Sequence, residues 1–151
     1  QNTSGNTWTA VYTANASDTD GAVSYSIAFS DTAGNAGSAV TSGSGSVTTD
    51  TTAPTLNGVS ISSNNSNTTQ AQAGDDVTLT FTASEGIATP TVTFQSGGSS
   101  INGNVTVQNT SGNTWTAVYT ANASDAAGSI TFNISFRDST GNTGTAITAH
   151  H

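Results

Sequence analysis

The chain has 151 residues, with no Cys, Met or Lys, one Arg (Arg137) and nine acidic residues, for a formal net charge of −8. Lack of Cys excludes a disulfide framework and thiolate metal sites. An anionic chain with a single cation is a poor ligand for nucleic acid or an acidic membrane surface, and no run is long enough for membrane insertion.

Ser, Thr, Asn and Gly dominate, and the apolar residues are mostly Val, Ile, Phe, Tyr, Ala and Trp. β-Branched and aromatic residues suit pleated, half-buried strands, while Gly, Asn, Asp and Ser suit turns. No stretch keeps apolar residues at helical spacing over three turns. The expected class is all-β. Such polarity also fits disorder, but a disordered chain does not keep the regular alternation seen below.

In chain order, the first feature is NTSGNTWTAVYTANASD at 2–18, which returns unchanged at 109–125. The offset of 107 (Asn2 to Asn109) persists without a gap: SYSIAFSDTAGNAG at 24–37 falls on TFNISFRDSTGNTG at 131–144, and Val40 falls on Ile147. A unit near 100 residues is too long for a solenoid repeat and has the size of one β-sandwich domain. Residues 1–49 therefore read as the C-terminal part of one repeat, holding strands E, F and G of a sandwich but not A, B and C. Residues 50–55 read as a linker, 56–149 as one complete repeat, and His150 and His151 as a tag remnant. On this reading the chain is an excised piece, so the lack of a signal peptide at Gln1 carries no weight. Val23, Tyr25, Ile27 and Phe29 would lose half of their packing surface. The missing strands are expected from another chain, by inter-chain strand complementation, or from sequence outside these residues.

The complete repeat reads as seven strands. They fall near 56–62, 76–83 (Val77, Leu79, Phe81 and Ala83 on one face), 91–95, 104–108, 114–121, 129–137 (Ile130, Phe132, Ile134 and Phe136 on one face) and 144–149. Period-two alternation with one polar face marks antiparallel sheets packed on a single side. The NTSGN turn suits a tight hairpin. Seven such strands predict an immunoglobulin-like antiparallel β-sandwich, in tandem repeats of about 107 residues. Trp115, Ala117, Tyr119 and Ala121 share a face, either as an aromatic platform for sugars or as core. Their alternation with Thr favours core.

In a sandwich of this connectivity, Asp50 in the linker, Glu85 after the second strand and Asp138 before the last strand gather at one end. Asp18 and Asp20 of the first copy sit in the loop expected to face that end, so five of the nine acids converge on one seam. Five carboxylates together repel unless a cation lies between them. Oxygen ligands without Cys or internal His point to calcium, with Asn142 or backbone carbonyls completing the shell, and away from zinc. In the competing reading, Asp138 and Asn142 only shape a turn through side-chain to backbone hydrogen bonds, and Asp50 is a solvated acid. Asp76 and Asp125, with Asp75 nearby, would form a matching half-site at the other end, and Asp31 is the first copy's counterpart of Asp138.

At FTASEGI, DSTGN, DTAGN and DTTAPT the chain resembles the bacterial Ig-like repeats of giant surface adhesins. That resemblance implies a tandem extender array, secreted and held at a bacterial cell surface, with calcium stiffening the domain junctions and neighbouring repeats as partners. By motif the calcium role falls on Asp50, Glu85, Asp138 and Asn142. Similar repeats occur in S-layer and other cell-wall proteins. A module binding glycans or another cell's surface is the alternative in a second class, since loops at sandwich ends can bind ligands. Catalysis is not expected: Ser is abundant, but no Lys and no internal His is present to activate it.

Overall fold

The computed structural model of the chain describes residues 1–150, Ala149 and His150 by backbone alone, so the tag reading of His150 and His151 lies outside what is described. No helix occurs among these residues, and all paired strands are antiparallel. The chain divides into two compact units, Gln1–Thr52 and Ala53–His151.

The first unit contains only short strands: β1 (Asn2–Ser4), β2 (Thr7–Trp8), β3 (Gly21–Ala22) and β4 (Thr48–Thr49). β1 pairs with β2 and β3 with β4, and isolated bridges join Ile27 to Val40 and Ser30 to Ala36. None of its residues is buried.

The second unit contains β5 (Leu56–Ser63), β6 (Asp76–Ala83), β7 (Thr91–Ser96), β8 (Ser99–Ser100), β9 (Thr106–Ser111), β10 (Thr114–Thr120), β11 (Ile130–Ser135) and β12 (Ile147–His150). They form two four-stranded sheets, ordered β5-β6-β10-β9 and β12-β11-β7-β8. In β6 the apolar side chains Val77, Leu79, Phe81 and Ala83 are buried, and the Thr residues between them are half-buried. β10 sets Trp115, Ala117 and Tyr119 opposite Phe81, Leu79 and Val77. β11 sets Phe132 and Ile134 opposite Phe94 and Val92 of β7. The inward faces of both sheets merge into one apolar cluster, in which the rings of Phe94 and Tyr119 lie 4.7 Å apart. Burial of each large side chain contributes about 1.5–3 kcal/mol, so this cluster holds the unit together. Trp115 and Tyr119 are core residues here, not a surface platform for sugars.

Several boundaries differ from the sequence reading, among them the end of β11 at Ser135 instead of Arg137. The short strand β8 was not expected. Gly97 and Gly98, both at positive φ, turn the chain directly after β7 so that Gln95 and Ser96 pair with Ser100 and Ser99. β9 begins at Thr106 instead of Asn104 and runs to Ser111. The last strand begins at Ile147, three residues later than expected, because Gly144 passes under the Phe136 ring. A Cβ added there would meet that ring at 2.1 Å.

The duplicated sequence has two outcomes. Residues 114–120 form a seven-residue strand, whereas the identical residues 7–13 contribute only two residues to β2. The local turns, by contrast, repeat. Asn2 Nδ2 donates to Gly5 O at 2.8 Å and Asn109 Nδ2 to Gly112 O at 2.9 Å. Gly37 N donates to Phe29 O and Gly144 N to Phe136 O, at 2.9 and 3.1 Å. Turns close within a few residues and need nothing else. A strand needs a neighbour to take its hydrogen bonds and cover its apolar face. Residues 9–14 have no counterpart of β6, and the ladder is lost.

Candidate metal centre

β6 ends at Ala83, and the following residue ties the chain back to the start of the unit: Ser84 N donates to Thr55 O at 2.8 Å, and Thr55 N to Ser84 Oγ at 3.0 Å. Ile87 then bridges to Asp138, and Ala88 N donates to Arg137 O at 2.9 Å. Glu85 is therefore held between the segment leading into β5 and the loop that follows β11.

Asp138 opens the DSTGN loop and organises it. Its Oδ1 accepts from Thr140 N, Gly141 N and Asn142 N at 3.0, 2.8 and 2.8 Å, and its Oδ2 accepts from Asn142 Nδ2 at 2.8 Å. Gly141 completes the turn at a φ of +108°, a conformation open to Gly at little cost. Asp138 is only 2% exposed. Burial pushes its carboxyl up, but the Asn142 side chain and the loop N–H groups outweigh this and hold it below the usual carboxylate range. Asp138 and Asn142 thus shape a turn, as the local reading expects. The same loop recurs at Asp31, exposed, where Oδ1 accepts from Asn35 N at 2.8 Å and Oδ2 from Asn35 Nδ2 at 2.9 Å.

Turn formation does not use up Asp138. One carboxylate oxygen from each of Asp50, Glu85 and Asp138 lies within 4.8 Å of the others, the only such group among the described residues. Asp50 stands three residues before Ala53, in the chain leading into the second unit. Ligand oxygens around one calcium ion sit about 2.3–2.6 Å from it, hence at most about 5 Å apart, and this group meets that limit. The donors are all hard oxygens, and Asp138 is held ionised. Like charges this close favour either a proton or a cation between them. The three residues together can hold a metal ion.

The other acids singled out in the sequence have different partners. Asp20 clamps the segment after β4: Oδ1 accepts from Thr51 N and Oγ1 at 2.8 and 2.7 Å, and Oδ2 accepts from Thr52 Oγ1 at 2.5 Å. The hydroxyls of Thr52 and Thr51, then the Thr51 N–H, keep its carboxyl below the usual range. Asp18 accepts from Asn15 N at 2.9 Å, closing a turn that Asp125 reproduces with Asn122 N at the same distance. Asp125 also takes Asn102 N at 2.7 Å, linking two loops. Asp76 accepts from Thr120 Oγ1 at 2.7 Å, and Asp75 from Asn65 Nδ2 and Gln72 N at 2.7 and 2.8 Å. Sequence reasoning missed Thr51, Thr52 and Asn102. A DTT triplet after an acidic loop is the one signal that hinted at the first two.

These hydrogen bonds have a pH signature. The N–H groups of Asn122 and Asn102 hold the Asp125 carboxyl below its ordinary value. A depressed carboxyl contributes stability that is fully present above the unfolded value, about 3.9, and is lost as pH falls through the folded value. The gap in unfolding midpoint between the natural protein and Asp125→Asn is expected to be largest above pH 5 and to shrink below about pH 4. Thermal melts at a series of pH values measure it; a gap that widens on acidification contradicts the assignment.

A cavity of about 800 Å³ in the second unit is lined by Ile61, Thr68, Ala71, Tyr119, Asp125 and Ile130, and the acidic group is not part of its lining. Burial and the Asp125 charge push the Tyr119 phenol up to about 12, so it stays protonated at neutral pH. Among the described residues, fold and site define an all-β chain with one cluster of three carboxylates able to hold a metal ion. Comparison with protein-family models, curated proteins and solved structures gives no match.

Proposed function

We propose that the chain belongs to a tandem array of immunoglobulin-like sandwiches acting as a non-catalytic extender on a bacterial surface protein. In this reading calcium binds where the connecting segment enters a domain. The observation that carries it is the gathering of Asp50, Glu85 and Asp138. The sheet orders β5-β6-β10-β9 and β12-β11-β7-β8, and the exact recurrence of residues 2–18 at 109–125, support the sandwich array. A spacer is selected for length, stiffness and solubility, so copies need not diverge as ligand-binding tips do. Calcium supplies charge neutralisation and fixes the connector, removing the freedom that linked domains otherwise have. Asp50, Glu85 and Asp138 would hold the ion, and the Asn142 amide orients Asp138. An affinity in the range of about 0.1–1 mM suits an extracellular module.

Small-angle scattering on a tandem protein of several complete repeats tests this. Calcium is expected to lengthen and narrow the distance distribution, and chelator to broaden it. Superimposable profiles with and without chelator contradict calcium stiffening.

A further inference from the structure

The first unit exposes large apolar side chains: Trp8, Tyr12, Tyr25, Ile27, Phe29 and Val40 are 70, 60, 47, 51, 52 and 41% exposed. Single exposed apolar residues need no explanation, but six large ones spaced at period two along strand-like segments do. The chain itself shows what covers this set. Shifted by 107, these residues are Trp115, Tyr119, Phe132, Ile134, Phe136 and Ile147. In the second unit the first five are buried against Val77, Leu79 and Phe81 of β6 and Val92 and Phe94 of β7, and Ile147 packs at the edge of the same cluster. The half that carries these side chains is already prepared for docking. Its Ile27–Val40 bridge has the register of Ile134–Ile147, and its turns have the hydrogen bonds of the complete copy.

We infer that residues 1–52 form an acceptor surface for a polypeptide of the type found at 53–107, whose β6- and β7-like strands insert against Trp8, Tyr12, Ile27 and Phe29. The occupant is set by side-chain complementarity and by backbone pairing: it must offer period-two apolar strands to the unpaired edge of residues 7–14. A second folded copy of this chain does not qualify. Each chain holds the acceptor-type sequence twice but the 53–107 type once, and residues 109–149 already engage that one. The inference is independent of the calcium reading.

The test extends the full chain by placing a second copy of residues 53–107 directly before Gln1, which occupies the place of Gln108. Trp115→Phe leaves Trp8 as the only tryptophan for fluorescence. Amide exchange followed by NMR on the extended chain with Trp115 intact gives a readout free of that substitution. Completion is expected to shift Trp8 emission to the blue and to slow exchange of the amides of residues 9–14 by on the order of a hundredfold or more. In trans, adding a polypeptide of residues 53–108 to the original chain is expected to give the same shift, saturating at one per chain. Unchanged Trp8 emission and unchanged exchange at residues 9–14 in the extended chain overturn the inference. So does concentration-dependent burial of Trp8 in the original chain alone, which would make the occupant a second copy.

Discussion

Ile134→Ala is expected to destabilise the second unit by about 2–5 kcal/mol, whereas Ile27→Ala, the same change at the same place in the repeat, should leave the first unit nearly unaffected. Ile134 is fully buried between the two sheets, and its removal leaves a cavity that neighbours in β6 and β7 fill only in part. Ile27 is half exposed, so truncation there removes little buried area. Urea unfolding followed by near-ultraviolet circular dichroism and NMR, which separates the duplicated segments, measures both. Equal losses at the two positions would mean that the first unit has a packed core after all. The same comparison holds at the glycines. An added Cβ at Gly144 meets the buried Phe136 ring, and at Gly37 it meets the exposed Phe29 ring, which can turn away.

The second large effect concerns the acidic group. If calcium binds the folded protein with a dissociation constant of about 0.1–1 mM, about 10 mM calcium stabilises it by about 1.4–2.7 kcal/mol. For a domain near 100 residues this raises the melting temperature by several degrees or more. Glu85→Gln is expected to abolish most of the rise, because one of the three grouped carboxylates can no longer bind the ion as an anion. Asp138→Asn is a poorer probe, since Asp138 also accepts the N–H groups of Thr140, Gly141 and Asn142. Equal calcium-induced rises in the natural protein and Glu85→Gln would remove Glu85 from the site.

The sequence told much about the second unit and less about the first. Alternation along Val77–Ala83 and Trp115–Tyr119 made the strands and their buried faces readable, because a half-buried sheet imposes a period of two on every residue. The gathering of Asp50, Glu85 and Asp138 followed from strand order alone. The detailed partners were not legible. Asp20 engages Thr51 and Thr52, 31 and 32 residues away, and Asp125 engages Asn102, 23 residues away. Such pairings depend on loop paths that period-two alternation does not encode. In the first unit, the TWTAVYT run carries the same strand signal as its twin but places only Thr7 and Trp8 in a ladder. A strand signal in sequence states a demand for a neighbour and does not supply one.

A calcium titration of the chelator-treated chain, followed by amide NMR, decides whether Asp50, Glu85 and Asp138 bind one divalent cation. The predicted result is a set of shifts concentrated at Asp50, Glu85 and residues 138–142 that saturate along one binding curve and vanish in Glu85→Gln. Shifts that grow without saturation and spread evenly over all nine acidic residues would contradict it.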